Sequence, residues 1–361
     1  MKVLIVNPIL YTNENRNIKK VNTIKDTMIY DLCLAFKKKG CDVTLAASDL
    51  YKPSENESYP FNIIWMRTRC TKLFPPHTLP YCPEVKKIAK SGNFDLIITS
   101  EVFSLNSLKL ALCTLKNLIV WQELGKHNRI FHGLASKFWY GIIAKIGFKK
   151  ALIVARSVQA REFISKYCKN VSDTIIDHGV NIEKFTPCRE KDNQFAISSQ
   201  LISRKHIEKS IEAFAKYLNK YDDSAKLYIM GDGDEKENLC KLAKDLGADK
   251  NIIFTGKLGH NELIEILKKS IAMLVYTEKD NNMVSVVESI ALATPVITTD
   301  IPYNASYIKA EKLGIVNNNW NEDDLRKLAT SDEYINNCMN YRKYLPTEYK
   351  AEQFLKVKGL I

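Results

Sequence analysis

Two carboxylates stand eight positions apart in the segment DNNMVSVVESIALATP, residues 280–295. Asp280 opens a polar loop, Asp280-Asn281-Asn282, after a short apolar run that reads as a strand. From Met283 to Ala293 the apolar spacing is helical, and Pro295 closes the segment. An Asn at a helix start accepts a bond from an otherwise unsatisfied N–H. The first-turn N–H groups at Asn282, Met283 and Val284 then suit a phosphate. Glu288 lies little more than one turn inside the helix, where a carboxylate reaches vicinal hydroxyls such as those of a ribose. Asp280 can accept hydroxyls from another part of the same ligand.

Other residues of the right chemistry lie upstream. In ISSQLISRKHIEKSIEAF, residues 197–214, a strand runs into a loop and an amphipathic helix, with Gln200 and Lys205 in the loop. Gly231-Asp232-Gly233 ends another apolar run; a Gly-x-Gly by itself is often a tight turn. In the first half, Gln122, Glu123 and His127 follow the run at residues 118–121.

Short strands must hold these loops. Apolar runs at residues 3–6, 43–46, 63–66, 96–99, 118–121 and 152–155 alternate with helical patterns, and a second set follows at 195–198, 226–230, 252–255, 273–276, 296–299 and 314–316. Strands apolar almost throughout and separated by helices read as parallel sheets covered on both faces. Residues 174–177 read as a further strand before a turn at His178-Gly179-Val180-Asn181. The fold class is α/β: two Rossmann-like domains, residues 1–184 and 185–345, facing a cleft. Residues 346–361 are expected to carry a helix returning to the first domain.

These features resemble glycosyltransferase family 4, retaining enzymes of GT-B fold that work in bacterial surface-polysaccharide synthesis. Glu288 matches the carboxylate that in the family holds the ribose, and Ala293-Thr294-Pro295-Val296-Ile297 matches the tail of that signature. Asp280 stands where the family usually has Glu touching the donor sugar. Lys205 matches a Lys for the diphosphate, while Gln200 falls at the usual Arg, supplying a hydrogen bond without charge. Gly231 and Gly233 match a turn beside the nucleotide. Gln122 falls where many members have a His, with Glu123 and His127 beside it as acceptor-side candidates. The loop at residues 11–22 lacks the family's glycine pair, and Thr23-Ile24 sits near its place.

The resemblance implies transfer of a hexosyl or N-acetylhexosaminyl group from a nucleoside diphosphate sugar, with UDP as the expected carrier, to a glycan or lipid-linked glycan. Lys205 and Asp280 would be the catalytic residues; Gln200, Gly231, Gly233, Asn282, Met283, Val284 and Glu288 would bind the donor. No cofactor and no metal are expected. The alternatives are a sugar-nucleotide epimerase of the same fold and a nucleotide-sugar-binding protein with a decayed site.

Bulk properties set the limits. The 361 residues are 45% hydrophobic and 26% charged, which is globular, and their number suits two domains. Nine scattered cysteines with no Cys-x-x-Cys argue against a zinc site or a disulfide framework and for a reducing cytosol. No signal peptide or membrane span is expected. The net charge of +12 favours phosphates or an anionic surface. No nucleic-acid motif accompanies it, so nucleic acid is not an expected partner. Residues 138–150, FWYGIIAKIGFKK, mix aromatics, isoleucines and lysines. They suggest peripheral attachment to the inner face of the cell membrane.

Overall fold

The computed structural model describes every residue except 12–17, 19–20, 114–115, 129–132 and 281. Most of the glycine-free loop at 11–22 and Asn281 therefore lie outside the described residues. The chain forms two units, Met1–Gly179 with Thr347–Ile361, and Val180–Pro346. The crossings thus fall at 179/180 and 346/347, against expected borders at 184/185 and 345/346.

The first unit contains β1 (Lys2–Val6), β2 (Asp42–Ser48), β3 (Asn62–Met66), β4 (Leu96–Ser100), β5 (Leu118–Gln122) and β6 (Leu152–Ala155). All pair in parallel in the order β3-β2-β1-β4-β5-β6. The second contains β7 (Gln194–Ser198), β8 (Lys226–Met230), β9 (Ile252–Gly256), β10 (Ala272–Leu274), β11 (Val296–Thr298) and β12 (Gly314–Val316). Its order, β12-β11-β10-β7-β8-β9, is the same winding repeated. Each sheet reverses direction of growth once, between β1 and β4 and between β7 and β10. Ligands of open α/β sheets settle beyond the strand ends at such a point.

Burial on both faces explains the near-continuous apolar strands: β1 from Val3 to Val6 and all of β10 and β11 are buried. The helix Thr347–Val357 packs on the helix Met28–Lys38 in the first unit. Phe354 and Leu355 enter the core, Phe354 against Phe36 and edge-on to Trp121 at 5.2 Å. Lys350 beneath it pairs with Asp177.

Residues 174–177 do not form the expected strand. The segment is held to the end of β6 by the Ile176 N–H on the Ala155 carbonyl (3.0 Å), and the Trp121 indole donates to the Ile176 carbonyl (2.6 Å). Of residues 138–150, the first ten lie in a helical stretch that switches from α (Leu134–Phe138) to π (Trp139–Ala144) and back (Lys145–Gly147), and the last three form a turn. Among the described residues no helix is long and apolar enough to cross a membrane.

Candidate functional site

The C-terminal ends of β7 and β10 border a small depression open to solvent. Its walls are Ile197, Ser198 and Ser199 from β7 and its loop, Lys205, Ile207 and Ser210 from the next turn and helix, and Leu274, Val275, Tyr276 and Met283 from β10 and its loop. It lies where the sheet reverses direction.

Lys205 reaches this depression because the β7 loop tightens into a 3-10 turn, Ser203–Lys205. His206 ends the turn in left-handed backbone (φ 41°) and starts the helix Ile207–Lys220. The Lys205 ammonium lies 2.7 Å from Asp280 Oδ2, and Arg204 Nη1 lies 3.1 Å from Oδ1. Thr277 donates its hydroxyl to Oδ2 at 2.6 Å. Burial alone would raise the Asp280 carboxyl. The bonds from Lys205, Thr277 and Arg204 outweigh it and hold the group below the usual carboxylate range. His206 in turn bridges Glu208 (2.7 Å) and Glu278 (2.8 Å); its bond to the Glu208 carboxylate is the main reason its pKa is raised.

The helix after Asp280 begins one residue later than its pattern suggests, at Val284, and ends at Ala291. Its cap is Met283, with no side-chain cap bond, so the expected Asn cap is not formed. The Met283 N–H donates to Asn304 Oδ1 at 2.6 Å, and Asn304 returns a bond to the Met283 carbonyl at 3.3 Å. In this state the Met283 amide is therefore spent on Asn304, and the first-turn N–H groups from Val284 onward are those without intrahelical partners. Glu288 is one turn further along, mostly buried, with Oε1 3.0 Å from His260 Nε2. The chain closes behind the helix with Ala293 in left-handed backbone (φ 60°) ahead of Thr294-Pro295.

The glycine pair has a packing reason. A Cβ on Gly231 (φ 154°) would lie 1.8 Å from the Ser199 carbonyl oxygen, and one on Gly233 would lie 2.3 Å from that of Leu201. The β7 and β8 loops are stitched there by Ser199 N–H to Met230 O (3.1 Å), Leu201 N–H to Asp232 O (3.0 Å) and Glu235 N–H to Leu201 O (2.9 Å). Gln200 rides exposed on top of that seam. The triplet Asp232-Gly233-Asp234 is an Asp-x-Asp; Asp232 accepts from the Gly233 N–H and faces Lys236. Among the described residues no three of His, Cys, Asp or Glu converge as a metal ion would need.

In the first unit the three acceptor-side candidates are engaged within the fold. Gln122, fully buried at the end of β5, accepts from the Val102 N–H (2.9 Å) and donates to the Leu124 carbonyl (2.9 Å) and the Tyr140 hydroxyl (3.3 Å). It braces three segments. His127 has Ser136 Oγ at 3.0 Å on Nδ1 and the Tyr167 hydroxyl at 3.1 Å on Nε2, among the rings of Tyr140, Phe163 and Tyr167. Burial first, then Lys137, lowers its pKa. Glu123 pairs with Arg156 at 2.9 Å, whose guanidinium stacks 3.7 Å from the Trp121 ring centre and donates to His178 Nε2 (3.2 Å). Burial, reinforced by Arg156 and Lys350, holds His178 well below its ordinary pKa, so it is the neutral acceptor of that bond.

Sequence reasoning missed Arg204, His260, Asn304 and Glu101. Glu101 follows β4 in left-handed backbone (φ 65°) and accepts the Glu123 N–H at 2.7 Å. Burial pushes its carboxyl up to about 7, with Arg156 opposing and Glu123 adding to the rise. Nothing in its neighbourhood of the sequence announces that conformation. Arg204 had a visible signal, as a second cation directly beside Lys205.

Residues 181–342 match the model of the family described as glycosyl transferases group 1. Among curated relatives, the alpha-monoglucosyldiacylglycerol synthase of Streptococcus pneumoniae is 26% identical over 63% of this chain and 57% of its own length. The O-antigen chain mannosyltransferase RfbU of Salmonella typhimurium is 28% identical over 46% and 47%. The chain thus spans about half the length of these two relatives. Of the solved structures, Anabaena HepE in complex with UDP superposes over all of both chains with a TM-score of 0.69 at 11% identity. Sucrose-phosphate synthase from Thermosynechococcus elongatus covers 99% and 98% with 0.67 at 16%. Such identities speak for the fold alone, a two-domain α/β arrangement of GT-B type. The depression between β7 and β10 lies inside the segment, residues 181–342, that matches the model of the glycosyl transferases group 1 family.

Proposed function

We propose that this protein is a retaining glycosyltransferase that moves a hexosyl or N-acetylhexosaminyl group from a nucleoside diphosphate sugar to a glycan or lipid-linked glycan in cell-surface polysaccharide synthesis. One observation carries the reading. In a glycosyl transferases group 1 domain, Lys205, Asp280 and the Val284–Ala291 helix N-terminus meet at the reversal point of the sheet, with Glu288 one turn away. UDP is the expected carrier, in keeping with the UDP bound by HepE.

The chemistry needs a stabilised leaving group and an oriented sugar. Lys205 and the helix N-terminus supply fixed positive potential where the bond from the anomeric carbon to the diphosphate oxygen breaks. The acceptor oxygen bonds to the same face of that carbon, and its proton passes to the leaving diphosphate. No protein base and no metal are part of this scheme. Asp280 orients the sugar hydroxyls, and Glu288 holds the ribose.

A cytoplasmic site at an anionic membrane surface is part of the same reading. Leu134, Phe138, Ile142 and Ile146 are 67%, 59%, 50% and 72% exposed. They recur every fourth residue, and the π turn, wider than 3.6 residues, keeps such a row straighter than an α-helix does. Exposed Lys137, Lys145, Lys149 and Lys150 accompany the row, the composition of an interfacial helix.

The test of the enzymatic reading is a screen of sugar nucleotides for nucleotide release, run on the native chain and on Glu288→Ala. One donor is expected to release its nucleotide, and the variant to lose that activity. Equal release by both would overturn the assigned site, and a sugar epimer as sole product would make the protein an epimerase.

A further inference from the structure

We propose that Arg204 and Lys205 form a two-cation clamp for a diphosphate, and that Asp280 fills this clamp in the ligand-free chain and leaves it when the diphosphate binds. The proposal rests on the donor reading above and adds a residue and an exchange that the reading does not contain.

The geometry is that of a bridged anion. Lys205 takes one oxygen of the Asp280 carboxylate at 2.7 Å and Arg204 takes the other at 3.1 Å. A phosphate offers two oxygens in much the same arrangement and carries more charge, and Arg and Lys are the side chains that bind it. A diphosphate brings more negative charge to Arg204 and Lys205 than the single carboxylate it displaces.

The cations and the carboxylate are also held differently. Arg204 and Lys205 are consecutive in the Ser203–Lys205 turn. The Arg204 carbonyl accepts the Glu278 N–H at 3.1 Å and the Thr277 hydroxyl at 3.3 Å, which pins the backbone between the two side chains. Asp280 reaches the clamp from the far end of the β10 loop, through its side chain. Rotation of that side chain withdraws the carboxylate from both cations without breaking the Arg204 backbone bonds, while Arg204 Nη1 stays anchored on the Lys279 carbonyl at 2.8 Å. It also frees the carboxylate for the sugar hydroxyls, so filling the clamp and orienting the sugar become one event. Gln200, neutral and exposed on its seam, is then not the second phosphate ligand; Arg204 brings the charge from four residues further on.

Calorimetric titration of the full chain with UDP, and with uridine as a phosphate-free control, tests this. Arg204→Gln is expected to weaken UDP by about 10- to 100-fold, the range for a lost charged hydrogen bond, and to leave uridine unchanged. Asp280→Asn is expected to tighten UDP by several-fold, because the internal competitor loses its charge. An Asp280 that merely preorganises Lys205 would give the opposite sign. If the native chain binds none of UDP, GDP and ADP, the donor reading itself falls. If it binds UDP but Asp280→Asn binds it equally or more weakly, the exchange falls. If Arg204→Gln binds UDP unchanged, Arg204 is not part of the clamp. Should Arg204→Gln fail to fold, Arg204→Lys replaces it: loss of the planar fork must weaken UDP several-fold with uridine unaffected, and unchanged UDP affinity overturns the role of Arg204.

Discussion

Replacing Gly231 by Ala separates the site from the stability of the domain, because the same sheet supplies a matched control. The new Cβ would stand 1.8 Å from the Ser199 carbonyl oxygen. To reach ordinary van der Waals contact the oxygen must retreat by about 1.6 Å. That opens the Ser199–Met230 and Leu201–Asp232 stitches and shifts the loop leading to Lys205. Overpacking costs about 1–3 kcal/mol and positive φ at a non-glycine about 1–2 more, so a loss of about 3 kcal/mol is expected. For a unit of this size that is a fall of about 6–12 °C in Tm. Gly314, at the start of β12, has nearly the same backbone (φ 155°), and a Cβ there would lie 1.9 Å from the Val296 carbonyl oxygen. Gly314→Ala should therefore destabilise comparably. The two differ in position, since Gly231 abuts the loop that carries the site and Gly314 lies two strands beyond β10. Thermal melts of both variants are paired with UDP titration at a temperature where both remain folded. Gly231→Ala is expected to lose at least tenfold in UDP affinity, and Gly314→Ala to keep it. Equal affinities in the two variants would refute the claim that the 199–201 seam positions the site.

Three further outcomes are expected. Glu288→Ala should bind UDP and 2′-deoxy-UDP with equal affinity, whereas the native chain prefers the ribose form by about tenfold, the worth of one charge-assisted hydrogen bond. The Glu101 carboxyl, raised to about 7, is protonated in the folded chain over a range where the unfolded chain has lost the proton. Stability should therefore fall as pH rises from about 4.5 to about 7 and level off above, and urea midpoints should lose this slope in Glu101→Gln. Finally, the native chain should float with anionic vesicles at low salt, and a variant with Leu134, Phe138, Ile142 and Ile146 all changed to Gln should not; co-flotation of both would remove the membrane reading.

All twelve strands among the described residues were legible from short runs of mostly apolar residues, because the central strands are buried on both faces; edge strands such as β3 are only partly buried yet keep the apolar run. Residues 174–177 carried the same signal for a different reason. Ile176 is buried and its carbonyl serves Trp121, but no neighbouring strand takes the segment as a ladder. At the site, Lys205 and Asp280 could be placed in loops but not joined: their contact spans 75 residues and depends on the left-handed turn at His206. Gln122 and His127 showed polar chemistry at a strand end, where a ligand-facing side chain and a buried brace have the same sequence signature. Only the positions of Val102, Tyr140 and Tyr167 reveal the brace. Asn304 was invisible because its bond to Met283 is set by a turn 21 residues away.

The return of Thr347–Val357 to the first unit has a consequence for biosynthesis. The second unit is one uninterrupted stretch, Val180–Pro346, while the first is assembled from two pieces separated by all of it. A chain emerging from the ribosome can complete the second unit while the first still lacks Phe354 and Leu355 and exposes the apolar faces of Phe36 and Trp121. The part made first is thus finished last, and the unfilled seam is the natural place for a holding chaperone to act during synthesis.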